Sequence, residues 1–301
     1  VTRRMSAPLV HALIPARGGS KTIPRKNVRN YKGQPLLVHS IEIAQSCPFI
    51  SRVVVSTDCK EIQEVAVSNG AEAPFLRPSE ISADNSLDIE CFRHYLSWLR
   101  FAKQERPDVI VHLRPTYPER SSSLLSRCLQ KFLSIRHVYT SLRTVIPVEK
   151  TPMKMYVIEN KFLKPLFPTY KDIEEPYNSV RQLLPNCFLH NGCIDIVNTD
   201  TIEKGSMTGD KIYPYLMRRE EKHDIDTEDD WQSSLRKTVV TPVSESKISY
   251  GRSPIPSKGS PPIPIPNAEE RRIQREKEQR EARKREENIQ RILQRGKADS
   301  I

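Results

Sequence analysis

The chain has 301 residues, 37% of them hydrophobic, and a formal charge of +11. That length accommodates one α/β domain of about 230 residues plus an extension, and excludes two large cores. The positive charge is spread along the chain, with 14 Lys and Arg against 9 Asp and Glu in residues 241–301, so neither part is basic enough to name a nucleic acid as partner.

Cys47, Cys59, Cys91, Cys128, Cys187 and Cys193 form no Cys-x-x-Cys pair, which argues against a zinc site or a dense disulfide framework and for a reducing, cytoplasmic setting. Arg3 and Arg4 precede an apolar run, as in a short signal peptide. His11 interrupts that run, and Ile14-Pro15-Ala16 leads straight into a glycine loop, so a signal peptide is not expected. No run approaches the roughly 20 apolar residues of a spanning helix, and no membrane partner is expected.

Val10, Leu13 and Ile14 predict a buried strand that stops at Gly18-Gly19. The two glycines let the backbone turn tightly with N–H groups outward, the geometry of an anion-binding nest. Arg17, Lys21, Arg25 and Lys26 flank it. The alternative is an ordinary strand-to-helix turn with solvated lysines. Two phosphate motifs are excluded: Lys21-Thr22 follows Ser20 rather than Gly, and no glycine lies between Gly19 and Gly33 to complete a dinucleotide fingerprint.

Residues Leu36 to Ala44 predict a helix, Arg52 to Asp58 a strand, and Glu61 to Asn69 a helix capped by Asp58 and ended by Gly70. This alternation predicts a Rossmann-like, mostly parallel sheet with helices on both faces and ligands beyond the carboxyl ends of its strands. Ala71 to Asp88 is too aperiodic for a helix and too polar for a core strand, so it reads as an ordered functional loop. Taken alone, its Arg77 would pair with Glu80 or Asp84. A helix from Ile89 to Lys103 carries Phe92, Tyr95, Leu96 and Leu99 as a core stripe. Val109 to Leu113 is the next strand, with Arg114-Pro-Thr-Tyr-Pro-Glu-Arg120 at its carboxyl end, followed by a helix over Ser122–Ser134 and a strand over His137–Arg143.

From 144 to 184 the pattern becomes irregular, with prolines at 147, 152, 165, 168 and 176 and apolar residues such as Met153, Tyr156, Phe162, Leu166, Phe167 and Tyr170 that call for a cover. The alternative is a loose insertion in a monomer. Asn191-Gly192 is a hairpin signal. In His223 to Trp231, Asp224 and Asp226 alternate about Ile225 on an extended segment, so both carboxylates face one side, a pair of hard oxygen ligands suited to Mg²⁺. Thr227 and Asp230 read as a helix cap. Residues 241–267 hold seven prolines and form a linker, and 268–301 a charged helical tail with Glu276–Arg280, Glu281–Arg285 and Glu287–Arg291 as i,i+4 pairs.

Residue types alone thus reach a magnesium-dependent, phosphate-handling site. Ile14-Pro-Ala-Arg-Gly-Gly-Ser-Lys-Thr-Ile-Pro-Arg-Lys-Asn27 closely resembles the signature of the CMP-sialic acid synthetases (acylneuraminate cytidylyltransferases) and of relatives that activate other acidic sugars. The resemblance extends from Val10 to Ser233. It implies a nucleotide-diphospho-sugar transferase-like fold and an N-acylneuraminate cytidylyltransferase-like nucleotidyltransferase, joining CTP to an acidic nonulosonate to give CMP-sugar and pyrophosphate. By it, Arg17, Gly18, Gly19, Ser20, Lys21 and Lys26 hold the nucleotide phosphates, and Asn27, Arg77, Ser86 and Asp88 read the cytosine, with Asp58 bordering the pocket. Arg114, Thr116, Asn191, Gly192 and Asp195 face the sugar. Arg17, Lys21, Asp224 and Asp226 are catalytic, the last two as Mg²⁺ ligands. Residues 144–184 become a dimerisation extension, with Lys154 or Arg181 contributing across a homodimer interface. Three positions depart from the family pattern: Thr22 stands for Gly, Arg114 for Gln, and Asp195 for Tyr. Alternatives are a CMP-Kdo or legionaminic-type synthetase, or a catalytically silent scaffold with a nucleic-acid-binding tail.

Overall fold

The computed structural model of the chain describes residues 7–217 and 225–236. Asp224, the linker and the charged tail lie outside them. Strands β1 (Val10–Pro15), β2 (Arg52–Ser56), β3 (Val109–His112), β4 (Ser141–Pro147), β5 (Phe188–Asn198) and β6 (Ile212–Leu216) form one sheet in the order β6-β4-β5-β3-β1-β2. β1 is parallel to β2 and β3, β6 is parallel to β4, and β5 alone runs antiparallel to both its neighbours. The sheet is therefore mixed but mostly parallel.

Alternation along the strands builds two cores. Val10, Ala12 and Ile14 of β1, with Val109 and Val111 of β3 and Ile194 and Ile196 of β5, face α1 (Leu36–Gln45), α2 (Lys60–Ser68) and α4 (Ser122–Ile135). Leu13, Val54, Ile110 and Val197 point the other way, onto Phe92, Tyr95, Leu96 and Leu99 of α3 (Asp88–Phe101) and Ile202 of α5 (Thr199–Glu203). Burial on both faces explains why these strands read as near-continuous apolar runs.

A third, smaller cluster determines where the site forms. Ile23, at the exit of the glycine loop, packs with Tyr31, Leu36, Ile225 and Trp231. Trp231 belongs to α6 (Glu228–Arg236), its ring meets Tyr31 edge-on at 5.4 Å, and Arg29 lies 4.5 Å above it while donating to both oxygens of Glu228. Burying an indole of this size contributes on the order of 5 kcal/mol of gross transfer energy, enough to anchor a short helix. Thr227 and Asp230 cap α6 reciprocally, Thr227 N donating to Asp230 Oδ2 at 2.9 Å and Asp230 N to Thr227 Oγ1 at 3.1 Å.

Three expectations are corrected. β4 begins at Ser141, not His137, and runs on to Pro147, because pairing with β5 extends from Ser141↔Val197 to Pro147↔Phe188. Asp58 does not cap α2, whose N-cap is Cys59 with no side-chain bond. Met153 is buried, not exposed. The rest of 144–184 is a short ribbon of Tyr156–Glu159 against Phe162–Pro165, a second of Thr169–Tyr170 against Ile173–Glu174, and 3-10 turns. Ile158 is 78% exposed and Phe162 72%. Among the described residues no helix is long and apolar enough to cross a membrane.

Candidate active site

β1 has β2 on one side and β3 on the other, so the chain departs from its carboxyl end in one direction and returns in the other, the crevice where open α/β sheets bind ligands. A cleft of about 480 Å³ opens there. It is lined by Arg17, Ser20, Thr22, Lys26 and Asn27 after β1, by Arg77, 81–84 and 86–88 from the long loop, by His112, Arg114, Pro115 and Thr116 at the end of β3, and by Asp226. Ten of the residues singled out in the sequence thus share one cleft.

The glycine loop is built differently from the expected nest. Neither glycine has a positive φ. Gly18 is required by close approach, since a Cβ there would lie 2.8 Å from Cys59 Cβ, whereas one at Gly19 would meet nothing within 4 Å. The Gly18 amide donates to Asp58 Oδ1 at 2.8 Å and so is not directed at a ligand. Asp58 holds the loop onto β2 instead of capping a helix. Asn27 is buried and its Nδ2 donates to the Arg17 carbonyl at 2.8 Å, closing the other end.

Asp84, which the sequence suggested as a partner for Arg77, takes both cations of the loop. Arg17 Nη1 donates to its Oδ1 at 2.7 Å, and Lys21 pairs with its other oxygen. Lys21 and Arg17 hold the Asp84 carboxyl below the usual carboxylate range. Lys21 itself is largely exposed and outside the cleft lining. Arg77 is buried, and its Nε donates to Ser82 Oγ at 3.0 Å.

Asp226 reaches the loop through its neighbours. Ile225 N donates to the Thr116 carbonyl at 2.9 Å, and Lys26 Nζ donates to the Ile225 carbonyl at 3.1 Å and stands 3.7 Å from Asp226 Oδ1. The Asp226 carboxylate is 68% exposed and open to the cleft.

The sugar-facing candidates separate. Arg114 and Thr116 line the cleft, whereas Asn191 is buried: its Oδ1 accepts from Thr144 Oγ1 at 2.7 Å and its Nδ2 faces Met217 Sδ. Asn191 and Gly192, with φ +70, form a bulge inside β5 between His190 and Asp195 rather than a hairpin. Asp195 is buried beneath Arg114, whose Nη1 donates to its Oδ2 at 2.9 Å while Nη2 donates to Asp88 Oδ2 at 3.2 Å. The forked guanidinium is thus spent between two carboxylates. Burial pushes the Asp195 carboxyl up, but a 2.9 Å bond from His190 Nε2 and the Arg114 charge overcome it and hold the group well below the carboxylate range. Burial, reinforced by Arg114, lowers His112 to about 3, so its ring is neutral.

His112, Arg143 and His190 were missed in the sequence. Their one signal is a polar side chain on the inward face of an apolar strand, which becomes meaningful only once register puts them side by side.

The sequence profile described as "Cytidylyltransferase" matches residues 11–114, the span from β1 to the end of β3. A pseudaminic acid cytidylyltransferase of Campylobacter jejuni subsp. jejuni is 32% identical over 150 residues, covering 49% of this chain and 63% of that protein. CMP-N,N'-diacetyllegionaminic acid synthase of Legionella pneumophila is 32% identical over 229 residues, 73% of this chain and 92% of that one. In fold, CMP:2-keto-3-deoxy-manno-octonic acid synthetase complexed with CTP superposes with a TM-score of 0.55 at 14% identity, over 75% of this chain and 97% of that one. The glycine loop, the strand order and the similarity to 92% of a legionaminic acid synthase together make the chain a member of the cytidylyltransferase family.

Proposed function

We propose that the protein joins CTP to an acidic nonulosonate, sialic acid-like in class, giving CMP-sugar and pyrophosphate. The observation that carries this reading is the meeting, in one cleft, of the Arg17–Lys26 loop with Asp226, some two hundred positions later. The sugar's anomeric oxygen attacks the α-phosphorus, the new P–O bond forms as the bond to the bridging oxygen breaks, and pyrophosphate leaves in line as the hydroxyl gives up its proton. Little covalent chemistry falls to the protein, which positions the reactants and neutralises charge.

In this reading Arg17, Lys21, Lys26 and the amides of Gly19 and Ser20 hold the triphosphate, exchanging Asp84 for phosphate oxygens. Arg77, Ser86 and Asn27 border the base, while Arg114 and Thr116 bound the sugar end. Among the described residues no group of three or more His, Cys, Asp or Glu could hold a metal unaided. That suits Mg²⁺, which binds through one or two carboxylates with substrate phosphates and waters. Asp226 supplies one carboxylate, and Asp224, outside the described residues, would be the second. Bound there, the ion would offset phosphate charge and acidify the attacking hydroxyl. The enzyme works as a cytoplasmic homodimer, with Ile158, Phe162, Leu163, Leu166, Val180 and Leu183 as the apolar cover and Lys154 or Arg181 reaching the partner's cleft.

Pyrophosphate release from CTP and Mg²⁺, measured with N-acetylneuraminic, N,N'-diacetyllegionaminic and pseudaminic acids and with Kdo, tests the reading. Release with at least one of these sugars, and none when ATP, GTP or UTP replaces CTP, is the expected result. A legionaminic-type substrate is favoured as a second reading by the relative matched over 92% of its length. Silence across the panel, joined to salt-sensitive RNA binding, would replace the enzyme with a scaffold.

A further inference from the structure

A row of polar residues crosses three neighbouring strands on the α3 face. In the pairing register, Asp195 of β5 stands opposite His112 of β3 on one side and Arg143 of β4 on the other. Asp195 is the hub of the row, with its side chain 5% exposed. Its Oδ2 accepts from Arg114, its Oδ1 accepts from His190 Nε2 at 2.9 Å and lies 3.2 Å from Arg143 Nε. Three side chains, from two strands and one loop, therefore converge on one carboxylate.

Two of these positions are departures from the family pattern, and they touch. Arg114 and Asp195 form one ion pair, so the two changes act together. Adding a guanidinium beside His112 without Asp195 would leave a charge with a single carboxylate, Asp88. With both carboxylates present, the Nη1 of Arg114 is shared between Asp195 and the Gly192 carbonyl at 3.4 Å, and Nη2 goes to Asp88. Arg114 is consumed by the protein and has little left for a ligand.

Arg143 is in the opposite state. Its side chain is 28% exposed, its ion-pair contact with Asp195 is made by Nε at 3.2 Å, and that contact lacks hydrogen-bond alignment. Among the described residues its two Nη nitrogens make no hydrogen bond. A guanidinium steered from behind by a carboxylate, with its Nη edge unspent, suits an oxygen acceptor that takes two parallel N–H bonds. β4 lies two strand spacings from β3, about 10 Å, a distance that a nine-carbon sugar seated over the strand ends can span.

We propose that Arg143, aimed by Asp195, is a specificity-determining residue for the acidic sugar, donating from its Nη edge to a sugar oxygen, either carboxylate or acylamido carbonyl. Asp195 is its positioning residue. The assignment rests on the cytidylyltransferase reading above and names a residue that the family signature does not.

The experiment is steady-state pyrophosphate release by the full chain at saturating CTP, with N-acetylneuraminic, N,N'-diacetyllegionaminic and pseudaminic acids and Kdo varied in turn. Arg143→Ala is expected to raise the sugar KM about tenfold or more while the CTP KM stays within about twofold, a loss fitting hydrogen bonds from a charged donor. Arg143→Lys, which keeps the charge without the fork, should recover only part, and Asp195→Asn should raise the sugar KM and spare that for CTP. An equal rise for all accepted sugars assigns the contact to the carboxylate, and a rise confined to acylamido sugars to the carbonyl. A sugar KM unchanged in Arg143→Ala, or a CTP KM rising in step, overturns this assignment alone. Wild-type protein that releases no pyrophosphate with any sugar overturns the enzymatic reading and this assignment with it.

Discussion

Truncation of Asp195 to Ala removes the carboxylate on which Arg114, Arg143 and His190 converge. Arg114 would keep Asp88 at 3.2 Å, and Arg143 would keep no ion-pair partner among the described residues. Breaking a buried pair by deleting one member costs about 3–5 kcal/mol, because the other charge stays desolvated. Here the two arginine side chains are 25% and 28% exposed, so water relieves part of that cost and the lower end, about 3 kcal/mol, is expected. For a domain of this size each kcal/mol shifts Tm by about 2–4 °C, giving a fall of roughly 6–12 °C. Urea unfolding followed by circular dichroism measures the loss. Arg114→Gln in the Asp195→Ala background should cost much less than the sum of the singles, with a coupling of about 1–3 kcal/mol. A loss below about 1 kcal/mol with additive singles would mean that the cluster behaves as a surface ion pair and would refute the argument.

Three further outcomes follow from the same geometry. Burial, with Arg52 adding to it, lowers His11 to about 4, and burial with Arg114 lowers His112 to about 3; the unfolded chain therefore takes up these protons first, and stability present above pH 6.5 is lost as pH falls towards 4. The slope is at most about 1.4 kcal/mol per pH unit for each ring, and flat urea midpoints between pH 7 and 5 would contradict it. Asp195 contributes with the opposite chemistry, its stabilisation present above the unfolded carboxylate pKa and lost only at lower pH. Gly18→Ala drives a Cβ to within 2.8 Å of Cys59 Cβ and should cost about 1–3 kcal/mol, with recovery in Gly18→Ala/Cys59→Gly; an unaffected Tm in the single variant would show that the loop moves freely. Asp84→Asn frees Arg17 and Lys21 for phosphate and should lower the CTP KM a few-fold, whereas a raised KM would assign Asp84 to the nucleotide rather than to the resting loop.

Much of the architecture was legible because β1, β2 and β3 bury both faces and each long helix one, so periodicity separates them. The helix stripe Phe92, Tyr95, Leu96, Leu99 and the inward Ile225 are of this kind. The ends of β4 were not legible, since pairing with β5, not local propensity, carries the strand to Pro147. Asp58 illustrates a related limit: a polar residue before a helix looks like a cap, yet its partner is the Gly18 amide, 40 positions earlier. The glycine loop was recognisable by composition, but its conformation was not, because Gly18 answers to Cys59 across the fold. The row His112–Asp195–Arg143 depends on register between strands, one with a bulge, and no spacing in the chain encodes it.

At the centre of the account is a magnesium nucleotide held between the Arg17–Lys26 loop and Asp226. Among the described residues the Asp226 carboxylate has only the 3.7 Å contact with Lys26 as an ion pair and is 68% exposed, so Asp226→Ala should leave the thermal midpoint nearly unchanged. Magnesium-dependent pyrophosphate release from CTP and the accepted sugar, compared between wild type and Asp226→Ala at matched Tm, is the direct measurement. Loss of at least about a hundredfold in kcat is the predicted result. Turnover at the wild-type rate with the same magnesium dependence would contradict it.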